Sequence, residues 1–228
     1  MRRWNELPDN IRLPEVYPYW EVLWKKRFQL GIKRVFDILI AAILLVILLL
    51  PMVVIAVLIK CDSHGSIFYR QERVTTYGRV FRIHKFRTMV SNADKIGTTV
   101  TVGQDSRITK VGSKLRRLRL DELPQLIDVL QGTMSFVGTR PEAVKYVEQY
   151  NPEYYATLLM PAGITSEASI RYKDEADLLA GAQDVDEVYV NQVLPEKMKW
   201  NLRSIRSFNI FTDLITMFRT VGAVLGKE

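Results

Sequence analysis

From Ile38 to Ile59 the chain runs 22 residues without a charge. One straight helix of that length would extend about 33 Å, enough to cross about 30 Å of hydrocarbon. Pro51 interrupts the run. It has no N–H for the carbonyl of Ile47, its ring crowds that turn, and no Ser or Thr in the run can satisfy the freed carbonyl. The expected result is a kink or break, leaving halves 38–50 and 52–59 of about 20 and 12 Å, each too short to cross alone. Lys25, Lys26, Arg27, Lys33 and Arg34 precede the run, and Lys60, Arg70, Arg73 and Arg79 follow it. Basic residues favour the cytoplasmic side of a membrane segment. A re-entrant helix that dips in and returns keeps both clusters on that side and is preferred over a spanning helix or a buried core helix.

The pattern changes after the greasy run. "SIFYRQERV" and "YGRVFRIHKFRTM" are rich in aromatic and β-branched residues around a turn near Thr75–Gly78, and read as two strands. Residues 91–106 read as a polar loop. "KLRRLRL" from Lys114 suits a short basic amphipathic helix, and "DELPQLIDVLQG" a second, with Pro124 in its first turn and Gly132 as its stop. "RPEAVKYVEQY" reads as a third helix, and "PAGITSEASIRYKDE" as a loop with strand character. An acidic stretch over 174–187 leads to a final helical region, where Phe211, Leu214, Ile215 and Phe218 recur at helical spacing and suit either a core or a membrane contact. The pattern predicts a helix-rich α+β fold with amphipathic surface helices. It divides into an interfacial arm (1–31, with Trp4, Tyr17, Tyr19, Trp20 and Trp24), a kinked re-entrant membrane helix (32–60) and a cytoplasmic catalytic domain at the membrane surface (61–228).

Charge narrows the partners. The 228 residues hold 32 Lys and Arg against 25 Asp and Glu, a net charge of +7, which suits an anionic partner such as phospholipid, nucleotide or nucleic acid. The single cysteine, Cys61, excludes an internal disulfide. "MRRW" is followed by no prompt apolar segment, which argues against a cleaved secretion signal. There is no internal repeat, Walker-type loop or G-x-G-x-x-G. "DVD" at 184–186 reads as solvated surface, and His64 and His84 lack metal-ligand spacing.

Candidate chemistry begins at "LRRLRLDELPQL". Asp121 and Glu122 stand just before a helix N-terminus and after Arg116, Arg117 and Arg119. The dipole and the arginines should both lower carboxylate pKa values. Such a pair can bind Mg²⁺ or attack an electrophile, or it can simply cap a helix. "KFRT" (85–88) and "GTRPE" (138–142) add Lys85, Arg87 and Arg140, side chains that match phosphate oxygens. The basic run over 110–119 could also serve nucleic acid; beside a lipid-tethering segment, membrane or phosphate contact is the better reading, and no nucleic-acid partner is expected.

In this order, "KRVFDILIA", "IFYRQERV", "GRVFRIHKFRTM", "DSRITKVGSKLRRLRLDELPQLIDVLQGTMSFVGTRPE" and "AGITSEASIRYKDE" resemble the monotopic phosphoglycosyl transferases, the bacterial sugar transferase family. The resemblance covers roughly residues 32–175. It implies transfer of a phospho-sugar from a UDP-sugar to a polyprenyl phosphate such as undecaprenyl phosphate. The products are polyprenyl-diphospho-sugar and UMP, formed by a ping-pong mechanism with Mg²⁺ as cofactor, at the cytoplasmic face of the bacterial inner membrane. Carried over by motif, Asp121 is the nucleophile and a Mg²⁺ ligand, and Glu122 the partner acid that deprotonates the lipid phosphate or orients the site. Lys85, Arg87, Arg116, Arg140, Glu142 and Arg171 fall at substrate-binding positions. The resemblance leaves open a homo-oligomer, the sugar and the uracil contacts. Leu50–Pro51 stands where many members have Ser–Pro, "GTRP" where they have "GPRP", and Thr133 where an Asp is common, so Thr133 receives no metal role. Larger members carry extra spanning helices ahead of this unit, so the chain is expected to be a minimal form. The competing reading is a non-enzymatic membrane adaptor that grips anionic lipid with the same basic face.

Overall fold

The structure, a computed structural model, describes residues 1–93, 105–172, 178, 179, 182 and 184–226. Parts of the expected polar loop and acidic stretch lie outside the described residues. The order is helix α1 (Tyr17–Lys25), α2 (Arg27–Asp62), strands β1 (Phe68–Val74) and β2 (Val80–Phe86), α3 (Lys110–Arg117), α4 (Gln125–Gln131), β3 (Met134–Val137), β4 (Ala162–Thr165), α5 (Glu167–Arg171), α6 (Leu194–Arg206) and α7 (Ile210–Leu225). β1 and β2 form an antiparallel hairpin in the register Phe68 to Phe86 and Val74 to Val80. β3 and β4 form a short parallel pair. The fold is the expected helix-rich α+β. The third expected helix shrinks to one turn, Val144–Val147, and α5 follows β4 where only a loop was foreseen.

Helix α2 is one 36-residue element, and Pro51 lies inside it rather than ending it. The expected pair of short halves therefore remains one helix. Pro51 is exposed, so its ring meets no packed neighbour in the body. One face of α2 is buried in two stretches, at Lys33, Asp37 and Ala41 and again at Met52, Ile55 and Ile59. Ala41 packs in a cluster with Ile83, Leu126, Val129 and Met134. Met52, Ile55 and Ile59 pack with Phe86 and Leu115. Arg34 donates to the carbonyls of Val129 (2.6 Å) and Leu130 (2.9 Å) at the end of α4, and the Val111 N–H donates to Asp62 (2.9 Å). The same body therefore grips both ends of the helix. The remaining faces stay apolar and open, with Val46 78% and Leu50 72% exposed.

A buried ion group fixes the N-terminal half. Lys33 lies 2.8 Å from Asp213 of α7 and 3.8 Å from Asp37, and Asp37 accepts the Ser135 hydroxyl of β3 at 2.7 Å. Charges buried this deeply persist only when paired.

The largest core includes residues of the expected interfacial arm. Leu7, Ile11, Val16, Tyr19 and Leu23 are buried with Tyr146, Leu158, Tyr189, Met198 and Ile205, so this segment packs into the body. Its outer side carries a run of rings: Tyr17 stacks on Trp20 at 5.7 Å and Trp20 on Trp24 at 5.2 Å. At the other end of the chain, the stripe of α7 faces outward, with Phe211 69%, Ile215 57% and Phe218 77% exposed.

Candidate active site

Three local devices place the acidic pair. Thr109 caps α3 by accepting the Gly112 N–H at 3.0 Å. α3 ends, and Arg119 turns the chain in the left-handed region (φ 55°, ψ 19°), a conformation that costs a non-glycine residue about 1 kcal/mol. The chain then forms a 3₁₀ turn, Leu120–Glu122, and enters α4, which stops at Gly132 (φ 80°) as the sequence indicates. Asp121 and Glu122 thus sit at a sharp corner between two helices and line a cavity of about 1410 Å³.

Glu122 is fully engaged. Lys85 of β2 donates to its Oε1 at 3.1 Å, and Arg140 donates to both oxygens, at 3.2 Å to Oε2. Burial alone would push this carboxyl up, but the Arg140 and Lys85 charges outweigh it and hold Glu122 well below the usual carboxylate range. Asp121 has the opposite environment. Its Oδ1 is buried and has no hydrogen-bond partner among the described residues. Burial first, then the neighbouring Glu122 charge, raise its carboxyl above the ordinary value against the pull of Lys85 and Arg116. The sequence-based expectation that both carboxyls would be lowered holds for Glu122 alone, because Asp121 loses its water without gaining a donor.

Lys85, Arg116, Arg140, Arg87 and Glu142 all line the cavity, but their side chains are differently engaged. Arg116 faces Asp121 from the last turn of α3, and burial lowers its guanidinium and the Lys85 ammonium from their ordinary values. Arg87 instead closes α2: it donates to the carbonyls of His64 (2.6 Å) and Ser63 (2.7 Å), satisfying acceptors past the helix end. Glu142 accepts from the Tyr189 hydroxyl (2.7 Å) and pairs with Lys197 (3.3 Å), so it orders the cavity wall through its own ion pair. Arg171 does not reach this cavity. It pairs with Glu167 (2.7 Å) and lies 3.8 Å over the Trp200 ring in a separate cleft.

Sequence reasoning missed Arg73, Tyr189 and Lys197, which line the same cavity. Arg73 is half-buried near Glu142 and Arg140, donating to the Pro141 carbonyl at 3.3 Å. Its place in a strand with alternating exposure was the available signal. The "DVD" residues behave as structural groups: Asp184 caps a turn by accepting the Glu187 N–H, and Asp186 pairs with Lys145 at 2.7 Å. His84 is satisfied by Asp128 at 2.7 Å.

Among the described residues no cluster of three or more His, Cys, Asp or Glu forms a metal cage. The donor set still fits Mg²⁺, which keeps waters and takes one or two carboxylates plus substrate phosphates rather than a dedicated cage. The orphaned Asp121 Oδ1 is the group such an ion would satisfy. The cavity also reaches the apolar helix: Leu44 and Leu48 of α2 and Ala223 of α7 form part of its wall. A polar, basic floor and an exit along a greasy helix suit a substrate with a charged head and an apolar tail.

Comparison with known proteins agrees with this geometry. The sequence model described as "Bacterial sugar transferase" matches residues 28–227. The chain is 34% identical over 197 residues to a UDP-N-acetylgalactosamine-undecaprenyl-phosphate N-acetylgalactosaminephosphotransferase of Aeromonas hydrophila, covering 85% of this chain and 44% of that one. It is 36% identical over 195 residues to the UDP-glucose:undecaprenyl-phosphate glucose-1-phosphate transferase of Escherichia coli (strain K12), covering 83% and 39%. It is 38% identical over 207 residues to the exopolysaccharide production protein PSS of Rhizobium leguminosarum bv. phaseoli, covering 87% and 98%. The chain thus spans less than half the length of the first two relatives and nearly all of the third. With a match over most of its length, the chain belongs to the bacterial sugar transferase family.

Proposed function

We propose that this protein transfers a phospho-sugar from a UDP-sugar to a polyprenyl phosphate at the cytoplasmic face of a bacterial membrane, with Asp121 as a covalent nucleophile. The observation that carries the reading is the Asp121 carboxylate, buried and unpartnered at Oδ1, in a basic cavity walled on one side by the membrane-type helix. A dehydrated carboxylate without a hydrogen-bond donor is a stronger nucleophile than a capped one.

The first displacement forms a bond from an Asp121 oxygen to the sugar-bearing phosphorus and breaks the bond to the UMP oxygen. UMP leaves with that electron pair. In the second, an oxygen of the polyprenyl phosphate attacks the same phosphorus, the aspartyl bond breaks, and the carboxylate is restored. Each displacement brings like charges together, at about 4 kcal/mol per pair at ~4 Å and an effective dielectric near ~20. Lys85, Arg116 and Arg140 supply fixed positive charge to offset it. Asp121, with donor phosphate oxygens, would hold Mg²⁺, which would add charge neutralisation there. Glu122 is a poor proton acceptor, because its charges are already matched by Lys85 and Arg140. Its role here is to hold those two cations in place. The acceptor keeps its tail beside α2 and α7 and brings its phosphate to the cavity.

The test uses the full chain with radiolabelled UDP-sugars and no acceptor. Native protein should gain an acid-stable, hydroxylamine-labile label and release UMP. Asp121→Asn should do neither while remaining in the membrane fraction. Undiminished labelling in the variant would remove Asp121 from the reaction, and native protein that gains no label and releases no UMP until the acceptor is added would replace ping-pong with a ternary complex. A membrane adaptor would tolerate the substitution in every assay.

A further inference from the structure

A second cleft, of about 380 Å³, lies among α5, α6 and α7 and shares no lining residue with the Asp121 cavity. Its volume is at the low end of ordinary ligand sites, about 300–1,000 Å³, which suits a compact polar group. Trp200 of α6 carries two cations: the Arg171 guanidinium is 3.8 Å and that of Arg203 5.6 Å from its ring centroid. Glu167 ties Arg171 (2.7 Å) to Arg219 of α7 (2.6 Å). Two of the three arginines thus share one carboxylate. The other acid of the cleft, Asp213, is taken by Lys33 at 2.8 Å. Arg203 is exposed and has no acidic partner among the described residues.

The mouth is apolar. Ile215 both lines the cleft and is 57% exposed, and Phe211 and Phe218 continue the same face of α7. An anion-matching fork set beside an open greasy helix face fits an amphiphile whose phosphate enters and whose chains stay outside. An indole at such a boundary favours the same placement. Nothing in the transfer chemistry calls for this cleft, since neither displacement reaches it.

The geometry points to a binding site for the headgroup of one anionic phospholipid, held by Arg203, Arg171 and Arg219 over Trp200, with its acyl chains along Phe211, Ile215 and Phe218. Bound there, the lipid fastens α7 to the bilayer and fixes the tilt of the body over it.

The test is native mass spectrometry of the detergent-solubilised full chain, titrated with phosphatidylglycerol or phosphatidylcholine. Native protein should retain one phosphatidylglycerol in preference to phosphatidylcholine. Arg203→Gln should weaken that retention about fivefold, the worth of one arginine against an anionic lipid surface. Arg203→Lys should keep part of it. Arg79→Gln, at an exposed arginine of the hairpin, should leave it unchanged. Equal retention of the two lipids, or an equal loss in Arg79→Gln, would show diffuse charge attraction and overturn the site. Glycerol phosphate binding as tightly as the lipid would show a soluble-anion site and overturn the lipid assignment. UMP release by Arg203→Gln, assayed in detergent without phosphatidylglycerol, should match native protein, which separates this result from any failure at Asp121.

Discussion

Asp121 and Glu122 are neighbours in sequence, yet their surroundings push their carboxyls in opposite directions: burial raises Asp121, while Arg140 and Lys85 hold Glu122 down. Such divergence between adjacent acids separates a reactive group from a fixed one.

Stability should separate them as well. Glu122→Gln leaves Lys85 and Arg140 without their shared anion, and breaking a buried pair costs about 3 kcal/mol or more. For a chain of this size that lowers Tm by roughly 6–12 °C. Asp121→Asn removes a charge that its surroundings disfavour and should raise Tm by a few degrees, on the order of 1 kcal/mol. Calorimetry of both variants in one detergent checks the pair. Equal destabilisation by the two would contradict the assignment of one strained and one satisfied acid.

Glu142 gives a pH test away from the nucleophile. Burial would raise its carboxyl, but Lys197, the Tyr189 hydroxyl and Arg73 bring it below the ordinary value of 4.5. A depressed carboxyl binds its proton more weakly in the folded chain than in the unfolded one. Its stabilising contribution is therefore present above about 4.5 and is lost as pH falls through the folded value. Native protein should lose stability steeply below that pH. Glu142→Gln, less stable at neutrality, should lose less on acidification. Parallel pH–stability curves for the two proteins would show that this carboxyl does not govern the acid limb.

How much was legible follows from sequence distance. The hairpin turn, the Gly132 stop and the helix start beside Asp121 and Glu122 rest on residues close in sequence, and the local pattern states them; the left-handed Arg119 and the 3₁₀ turn after it were not foreseen. Arg87 meets the Ser63 and His64 carbonyls only across 24 and 23 positions, so the local pattern could not show that it closes α2. Glu142 meets Tyr189 and Lys197 only across 47 and 55 positions. Burial of Leu7, Ile11 and Val16 left no periodic trace, because prolines break the segment into turns. The Asp121 environment was misread because composition shows the arginines nearby but not the exclusion of water.

Gly112 sets the position of α3, and hence of Arg116. A Cβ there would lie 2.1 Å from the Thr88 carbonyl oxygen and 2.7 Å from the Thr88 Cα, both backbone atoms that follow the Lys85–Arg87 segment. Gly112→Ala must therefore push α3 off the strand end. Although alanine favours helix, the variant should lose about 1–3 kcal/mol of stability, and its rate of Asp121 labelling should fall at least tenfold because Arg116 moves with the helix. A variant with native stability and labelling would show that α3 can shift without moving the site.

The path of α2 through the bilayer is testable with the chain's own cysteine. Residues 33–41 and 52–62 both contact the α3–α4–β2 body. A membrane-spanning α2 would drag that polar, hydrogen-bonded body into hydrocarbon, where each unsatisfied group costs several kcal/mol. A re-entrant path keeps the body in water and immerses only the open apolar faces of α2 and α7. Cys61, exposed at the end of α2, and a tag on the N-terminus should then share one compartment. A membrane-impermeant maleimide should label Cys61 in inverted vesicles and not in intact spheroplasts, and an N-terminal protease site should be cut under the same condition only. Cys61 and the N-terminus reacting from opposite sides would establish a span and would require the body to separate from one end of α2 when the protein enters the membrane.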